Sequence, residues 1–82
     1  MLAVVTPTYR EAATIERLLD GLRPLGARVI VVDDASPDGT AALARQRGAT
    51  VIERPGKLGL ASAYQRGLGE ALRLGADPIV QM

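Results

Sequence analysis

Cysteine and histidine are both absent from the 82 residues, and phenylalanine and tryptophan are absent with them. Without cysteine there is no disulfide framework and no thiolate metal site; without histidine the commonest metal ligand and general base is missing. Any metal must therefore be a hard cation held by carboxylates. Aromatics make up only 2% of the chain against 48% hydrophobic residues, so the interior has to be built from Ala, Leu, Val and Ile. A strong excess of charge is missing too. The formal balance is +1, and the basic residues are spread along the chain, which leaves no electrostatic footprint for nucleic acid or for an acidic membrane surface. The opening apolar run from Met1 to Thr6 is cut by Pro7 and by the charges at Arg10 and Glu11, and it is too short for a signal peptide or a membrane span. The lack of cysteine fits a cytosolic chain. At this length the chain is one small domain or part of one, burying only about 60% of its unfolded surface.

The most informative stretch is Val29-Ile-Val-Val-Asp33-Asp34-Ala-Ser36-Pro37-Asp38-Gly39-Thr40. Four apolar, mostly β-branched residues read as a strand buried on both faces, and they run straight into two carboxylates and a turn. In an open α/β sheet, ligands bind at the carboxyl ends of the strands, so this acidic pair reads as a site. Two adjacent charges repel and must each be solvated or partnered. Asp34 is the first candidate.

Around it the pattern alternates. A strand is predicted over Leu2–Thr6, stopped by Pro7, which has no N–H for a ladder. Apolar positions at Ala12, Ile15, Leu18, Leu19 and Leu22 predict a helix that ends at Pro24 and Gly26. After the central strand, Arg28–Val32, Ser36 as N-cap and Pro37 at the first helical position predict a second helix over Asp38–Arg47, closed by Gly48. Thr50–Glu53 reads as a third strand and Arg54–Gly59 as a loop. Leu60–Leu74 reads as a third helix with Leu60, Tyr64, Leu68, Ala71 and Leu72 inward, in which Gly67 and Gly69 allow close packing on the sheet. Pro78–Met82 reads as a fourth strand. This βαβαβαβ order predicts a Rossmann-like open parallel sheet, doubly wound in the order 3-2-1-4, with the crevice between the first and fourth strands. Because the last strand stops where a loop closing that crevice would begin, the sequence is expected to be a piece of a longer protein.

Several side chains could carry chemistry there. Tyr9, in a polar loop at the mouth of the first strand, either stacks on a flat base or sugar or packs over the first helix. Glu11 either accepts hydrogen bonds from sugar hydroxyls or serves as a first-turn carboxylate of the helix. Asp34 can accept from a nucleobase edge, and Asp33 can face a ribose or a basic partner; alternatively one caps the next turn while the other is solvated. Ser36 and Asp38 are assigned to capping. Lys57, the one lysine among ten basic residues, sits between glycines but lacks the spacing of a phosphate-binding P-loop, and reads as a solvated loop lysine.

Four strings, Val4-Val-Thr-Pro7-Thr-Tyr9-Arg-Glu11, Val31-Val-Asp33-Asp34-Ala-Ser-Pro-Asp-Gly-Thr40, Arg54-Pro-Gly-Lys-Leu-Gly-Leu-Ala-Ser-Ala-Tyr64 and Val80-Gln-Met82, taken in order and spacing, resemble the N-terminal half of the GT-A domain of family 2 glycosyltransferases. The likeness is greatest to polyprenol-phosphate (dolichol-phosphate) mannose synthases. It covers all 82 residues, which makes 1–82 a partial GT-A domain: the nucleotide-sugar-binding half. The resemblance implies transfer of mannose from GDP-mannose to a polyprenol phosphate, with inversion, at the cytoplasmic face of a membrane. It also implies that Pro7, Tyr9 and Glu11 line the nucleotide pocket and that Val32 and Asp34 hold the nucleoside. Arg10 departs from the family's usual Asn. The family's metal-binding Asp-Ala-Asp, which would hold Mg²⁺ or Mn²⁺, would begin just after Met82; no catalytic residue and no metal ligand is expected within 1–82. Two alternatives remain: a family 2 transferase with another nucleotide sugar and acceptor, and a receiver-like phospho-acceptor domain, whose acidic pair would end the first strand rather than the second.

Overall fold

Strands and helices alternate through the computed structural model, which describes residues 1–82: β1 (Ala3–Thr8), α1 (Ile15–Leu22), β2 (Arg28–Asp34), α2 (Thr40–Gln46), β3 (Thr50–Arg54), α3 (Leu60–Arg73) and β4 (Ile79–Gln81), with a 3₁₀ turn at Arg23–Leu25. The strands pair in parallel in the order β3-β2-β1-β4, as the alternating pattern predicts. Alternate residues of β1 and β2 face opposite sides. Ala3, Val5, Ile30 and Val32 pack with Ala63 and Ala71 of α3, while Val4, Val29 and Val31 pack with Ile15 and Leu19 of α1 and Ala44 of α2. The two central strands therefore read as continuous apolar runs because both their faces are covered. Each wholly buried Ile or Val contributes about 1.5–3 kcal/mol.

Several element boundaries differ from expectation; those of β1, β2 and α1 have local reasons. β1 does not stop at Pro7 but runs to Thr8. Ala3 N–H donates to the Pro78 carbonyl and the Val5 carbonyl accepts from Met82, so the odd residues of β1 turn their polar backbone toward β4. Pro7 falls on that side beyond the last pairing, Val5 with Gln81, where no acceptor is missed. β2 likewise continues through both carboxylates, which sit opposite Glu53 and Arg54 of β3. α1 begins at Ile15, not Ala12; ahead of it the chain makes a turn in which the Glu11 carbonyl accepts from Thr14 and Ile15, and the Glu11 and Ala12 N–H groups donate to Thr40 Oγ1 and Asp38 Oδ2.

Ser36 and Pro37 do not open α2. The helix starts at Thr40, behind Gly39 at φ +86°, and the Asp38 carboxylate takes the Thr40 N–H. In α3 the inward row is Ala63, Gly67 and Ala71; Leu60 and Leu72 are 65% and 62% exposed. The cause is Gly67: a Cβ built there would overlap Val5 Cγ1. So close an approach admits only small residues in the inner row, and the leucines turn outward. Tyr64 and Ala71 of the expected stripe do pack on the core, whereas Gly69 meets nothing. No helix is long and apolar enough to cross a membrane.

Candidate functional site

The carboxyl ends of β1 and β2 open into a cavity of about 260 Å³ lined by Pro7, Thr8, Tyr9, Asp34, Lys57, Gly59 and Leu60. A separate cavity of about 120 Å³, lined by Arg23, Arg28 and Arg47 among others, lies by the start of β2. The first lies at the carboxyl end of the sheet, where open α/β sheets bind ligands, but it opens at β1, β2 and the loop before α3 and not between β1 and β4, since no β4 residue lines it.

Its frame is built from the acidic pair. Asp33 is only 1% exposed and belongs to the structure of the rim: Thr8 Oγ1 donates to its Oδ1 at 2.7 Å, Ser36 Oγ to the same oxygen at 2.6 Å, and the Ser36 N–H to Oδ2 at 3.0 Å. It has no basic partner. Ser36, expected as a helix cap, instead joins this network, and its Oγ also accepts the Arg10 N–H at 2.9 Å. The turn that carries Tyr9 is thereby tied to the turn after β2.

Asp34 is aimed the other way, into the cavity, and it is not solvated. Arg54 Nε donates to its Oδ1 at 2.6 Å and Arg54 Nη2 to its Oδ2 at 2.9 Å. Arg54 is 8% exposed, and its guanidinium also reaches Ser62 Oγ at 2.8 Å and the Gly59 carbonyl at 3.2 Å. The Arg54 pKa is raised, first by the hydrogen bond to Asp34, against the opposing effect of burial. The sequence pattern predicts a loop from Arg54, whereas the structure makes it the last residue of β3. The available signal was register: with β2 and β3 adjacent and parallel, their last residues, Asp34 and Arg54, fall side by side.

Tyr9 presents its ring at the cavity with two cations beside it. Lys57 Nζ lies 4.0 Å from the ring centroid. Arg10 stands 5.5 Å away and donates from Nε to the phenol oxygen at 3.2 Å. That hydrogen bond, then the Arg10 charge, holds the Tyr9 phenol below its ordinary 10.0. Lys57 is an exposed loop lysine, as the sequence predicts, and its ammonium also forms part of the lining.

Of the five residues taken as nucleotide-binding, the structure brings Pro7, Tyr9 and Asp34 to this one cavity. Glu11 lines an adjoining cavity of about 200 Å³ with Pro7, Thr8 and Thr14, and its Oε2 accepts the Thr14 hydroxyl at 2.9 Å. Val32 is wholly buried in the core under α3, backbone included, and is not part of the cavity wall. For a metal the residues do not fit: no three acidic side chains gather, and Asp33 is used by Thr8 and Ser36, which leaves Asp34 as a lone carboxylate at the cavity. A hard cation requires several free carboxylate or carbonyl oxygens in one place.

Residues 3–72 match the family described as Glycosyl transferase family 2. The chain is 40% identical over 85 residues to an undecaprenyl-phosphate mannosyltransferase of Micrococcus luteus, covering 95% of this chain and 35% of that protein. It is 36% identical over 87 residues to a polyprenol monophosphomannose synthase of Mycolicibacterium smegmatis, covering 96% of this chain and 33% of that protein. The chain thus spans about a third of the length of these relatives. Among solved structures it resembles glucosyl-3-phosphoglycerate synthase of Mycobacterium tuberculosis in complex with Mn²⁺, uridine diphosphate and glucosyl-3-phosphoglycerate, with a TM-score of 0.82 and 30% identity over all of this chain and 32% of that one.

Proposed function

Since the chain belongs to glycosyl transferase family 2 and has the Rossmann-like fold of GT-A enzymes, we propose that it forms the donor-nucleotide half of an enzyme that transfers mannose from GDP-mannose to a polyprenol phosphate at the cytoplasmic face of a membrane. The observation that carries this reading is the convergence of the Tyr9 ring, the Asp34 carboxylate and the Lys57 ammonium on one cavity at the sheet's carboxyl end.

Each group has a task that its chemistry suits. The Tyr9 ring offers a face on which a base can stack, and Asp34 accepts from donors on the base's edge. Pro7 closes the floor, and Lys57 supplies positive charge toward the phosphates. Glu11, one cavity over, is assigned to the ribose hydroxyls, for which a carboxylate is a suitable acceptor. In the transfer itself an oxygen of the acceptor phosphate forms the bond to the anomeric carbon of the sugar while the bond from that carbon to the diphosphate breaks, which inverts the configuration. The acceptor is already an anion, so no strong general base is needed. The leaving diphosphate develops charge of the kind that Mg²⁺ or Mn²⁺ would neutralise, and a solved neighbour of the same fold holds Mn²⁺ with its uridine diphosphate.

A second reading keeps the family and changes the donor. A solved neighbour holds uridine diphosphate, and a carboxylate acceptor serves uracil as well as guanine. The receiver-like alternative is set aside, because both carboxylates at the end of β2 are already engaged and the family match spans most of the chain. Calorimetric titration of the full chain with GDP and UDP tests the reading. Tyr9→Ala and Asp34→Ala are each expected to weaken binding by roughly tenfold or more, the scale of one lost stacking or base-edge contact. GDP binding left unchanged by both variants would remove the assignment; assays with different nucleotide sugars separate the two donor readings.

A further inference from the structure

Arg54 has no part in the site as read from the sequence, yet it is the most buried cation of the chain and touches three separate pieces of the rim. Its guanidinium grips both oxygens of Asp34, at 2.6 and 2.9 Å, from the neighbouring strand. Behind that contact, Ser62 Oγ in the first turn of α3 and the Gly59 carbonyl just before it hold the guanidinium in place. With side-chain exposures of 7% and 13%, the Arg54–Asp34 pair is shielded from water. Rotating the Asp34 carboxylate would break two short charge-assisted bonds at once.

We propose that Arg54 is a positioning residue that locks the Asp34 carboxylate into one plane as a pure acceptor, and through it selects nucleotides with keto bases, guanine or uracil, over those with amino bases, adenine or cytosine. This rests on the reading of the cavity as a nucleoside diphosphate site. A carboxylate oxygen has two lone pairs; Arg54 takes one on each oxygen and leaves one on each for a ligand. Guanine offers N1–H and N2–H, and uracil offers N3–H, to such an acceptor. Adenine and cytosine present a ring nitrogen acceptor at the corresponding place, so a fixed carboxylate meets a lone pair instead of a donor. A carboxylate without Arg54 is free to turn away from that repulsion and onto the exocyclic amine, and the discrimination falls. The same guanidinium pins the start of α3, and so the Pro55–Gly59 loop that brings Lys57 to Tyr9.

The test is the ratio of affinities, not affinity alone. Calorimetric titration of the full chain with GDP, UDP, ADP and CDP is expected to show one or both keto nucleotides bound roughly tenfold or more tighter than ADP and CDP, the discrimination typical of one well-made base-edge contact. In Arg54→Met, with cooperative melting retained, that ratio falls toward one. Arg54→Lys keeps the charge but loses the two-pronged contact, so it is expected to lose selectivity as well; it carries the test if Arg54→Met does not fold. A purely structural role weakens all four nucleotides alike and leaves the ratio unchanged, and that result overturns the inference. So does a native chain that binds keto and amino nucleotides equally. A native chain that binds none of the four overturns the underlying reading of the site instead.

Discussion

Thr8 Oγ1 donates to Asp33 Oδ1 at 2.7 Å, joining the last residue of β1 to the end of β2 across 25 positions of sequence. Asp33 accepts two further hydrogen bonds from Ser36, and it is almost wholly buried. Asp33→Asn keeps the shape but places an amide N–H₂ where a donor already points, so a buried polar group is left unpaired. We expect a loss of about 1–3 kcal/mol in urea denaturation. Thr8→Val removes one donor only and is expected to cost about 1 kcal/mol. An Asp33→Asn variant as stable as the native chain would mean that this network does not hold the rim.

Arg10 sits at φ +56°, in the left-handed region where Asn and Gly are at ease and a long side chain is not. Arg10→Asn is therefore expected to raise stability by about 0.5–1 kcal/mol, since the contact it loses, Arg10 to the Tyr9 phenol, is exposed. The same change has an electrostatic consequence. Arg10 lowers the Tyr9 pKa by hydrogen bond and by charge, both of which favour the tyrosinate. Removing it is expected to move the Tyr9 titration upward toward 10.0, read as tyrosinate absorbance against pH. An unmoved titration would contradict the hydrogen bond from Arg10.

The fold was legible in the sequence because its signals are local and repeated: apolar runs at Val4–Val5 and Val29–Val32, helical spacing at Ile15 and Leu19, and glycine at the breaks. The strand order followed from the alternation. The site was half legible. Tyr9 and Asp34 stood out as polar residues at strand ends, and the structure does bring them to one cavity. What the sequence did not reveal depends on which residues meet across strands. Arg54 becomes a partner of Asp34 only when β2 and β3 are in register. Ser36 had the pattern of a helix cap, but the competing acceptor, Asp33, lies three residues back and is buried. The inward face of α3 was misjudged because hydrophobicity pointed to Leu60 and Leu72, whereas the distance from helix to sheet is set by Gly67.

That distance can be tested with two glycines of one helix. A Cβ at Gly67 overlaps Val5 Cγ1 and presses on Val32 Cγ2 at 3.2 Å, and both belong to central strands that cannot give way. Gly67→Ala gains up to about 1 kcal/mol of helix propensity, but overpacking costs about 1–3 kcal/mol, so a net loss is expected. Gly69→Ala meets nothing within 4 Å and is expected to gain the propensity term in full, about 1 kcal/mol. Opposite signs in urea denaturation are the diagnostic result; equal signs would mean that α3 does not ride on Gly67.

Thr40 provides the pH-dependent case. Its hydroxyl is fully buried, donates to Asp38 Oδ1 at 2.5 Å and accepts the Glu11 N–H at 3.0 Å, while Asp38 Oδ2 accepts the Ala12 N–H at 3.2 Å. The start of α2 is thus pinned to the loop between Tyr9 and α1. The Asp38 pKa lies below its ordinary 3.8, chiefly because of the Thr40 hydroxyl and against the effect of burial. A carboxyl whose folded pKa is lowered adds stability that is complete above its unfolded value and is lost as pH falls through the folded one. Thr40→Val removes the main cause and leaves the Glu11 N–H unpaired. Its penalty, about 1–3 kcal/mol near neutral pH, is expected to shrink as the solution is taken below the ordinary value of 3.8, because the native chain then gives up the Asp38 contribution that the variant never had. Thr40→Ser retains the hydroxyl and is expected to follow the native pH profile. A Thr40→Val penalty that stays constant through the acid range would show that the lost packing, and not the hydrogen bond to Asp38, is what the substitution removes.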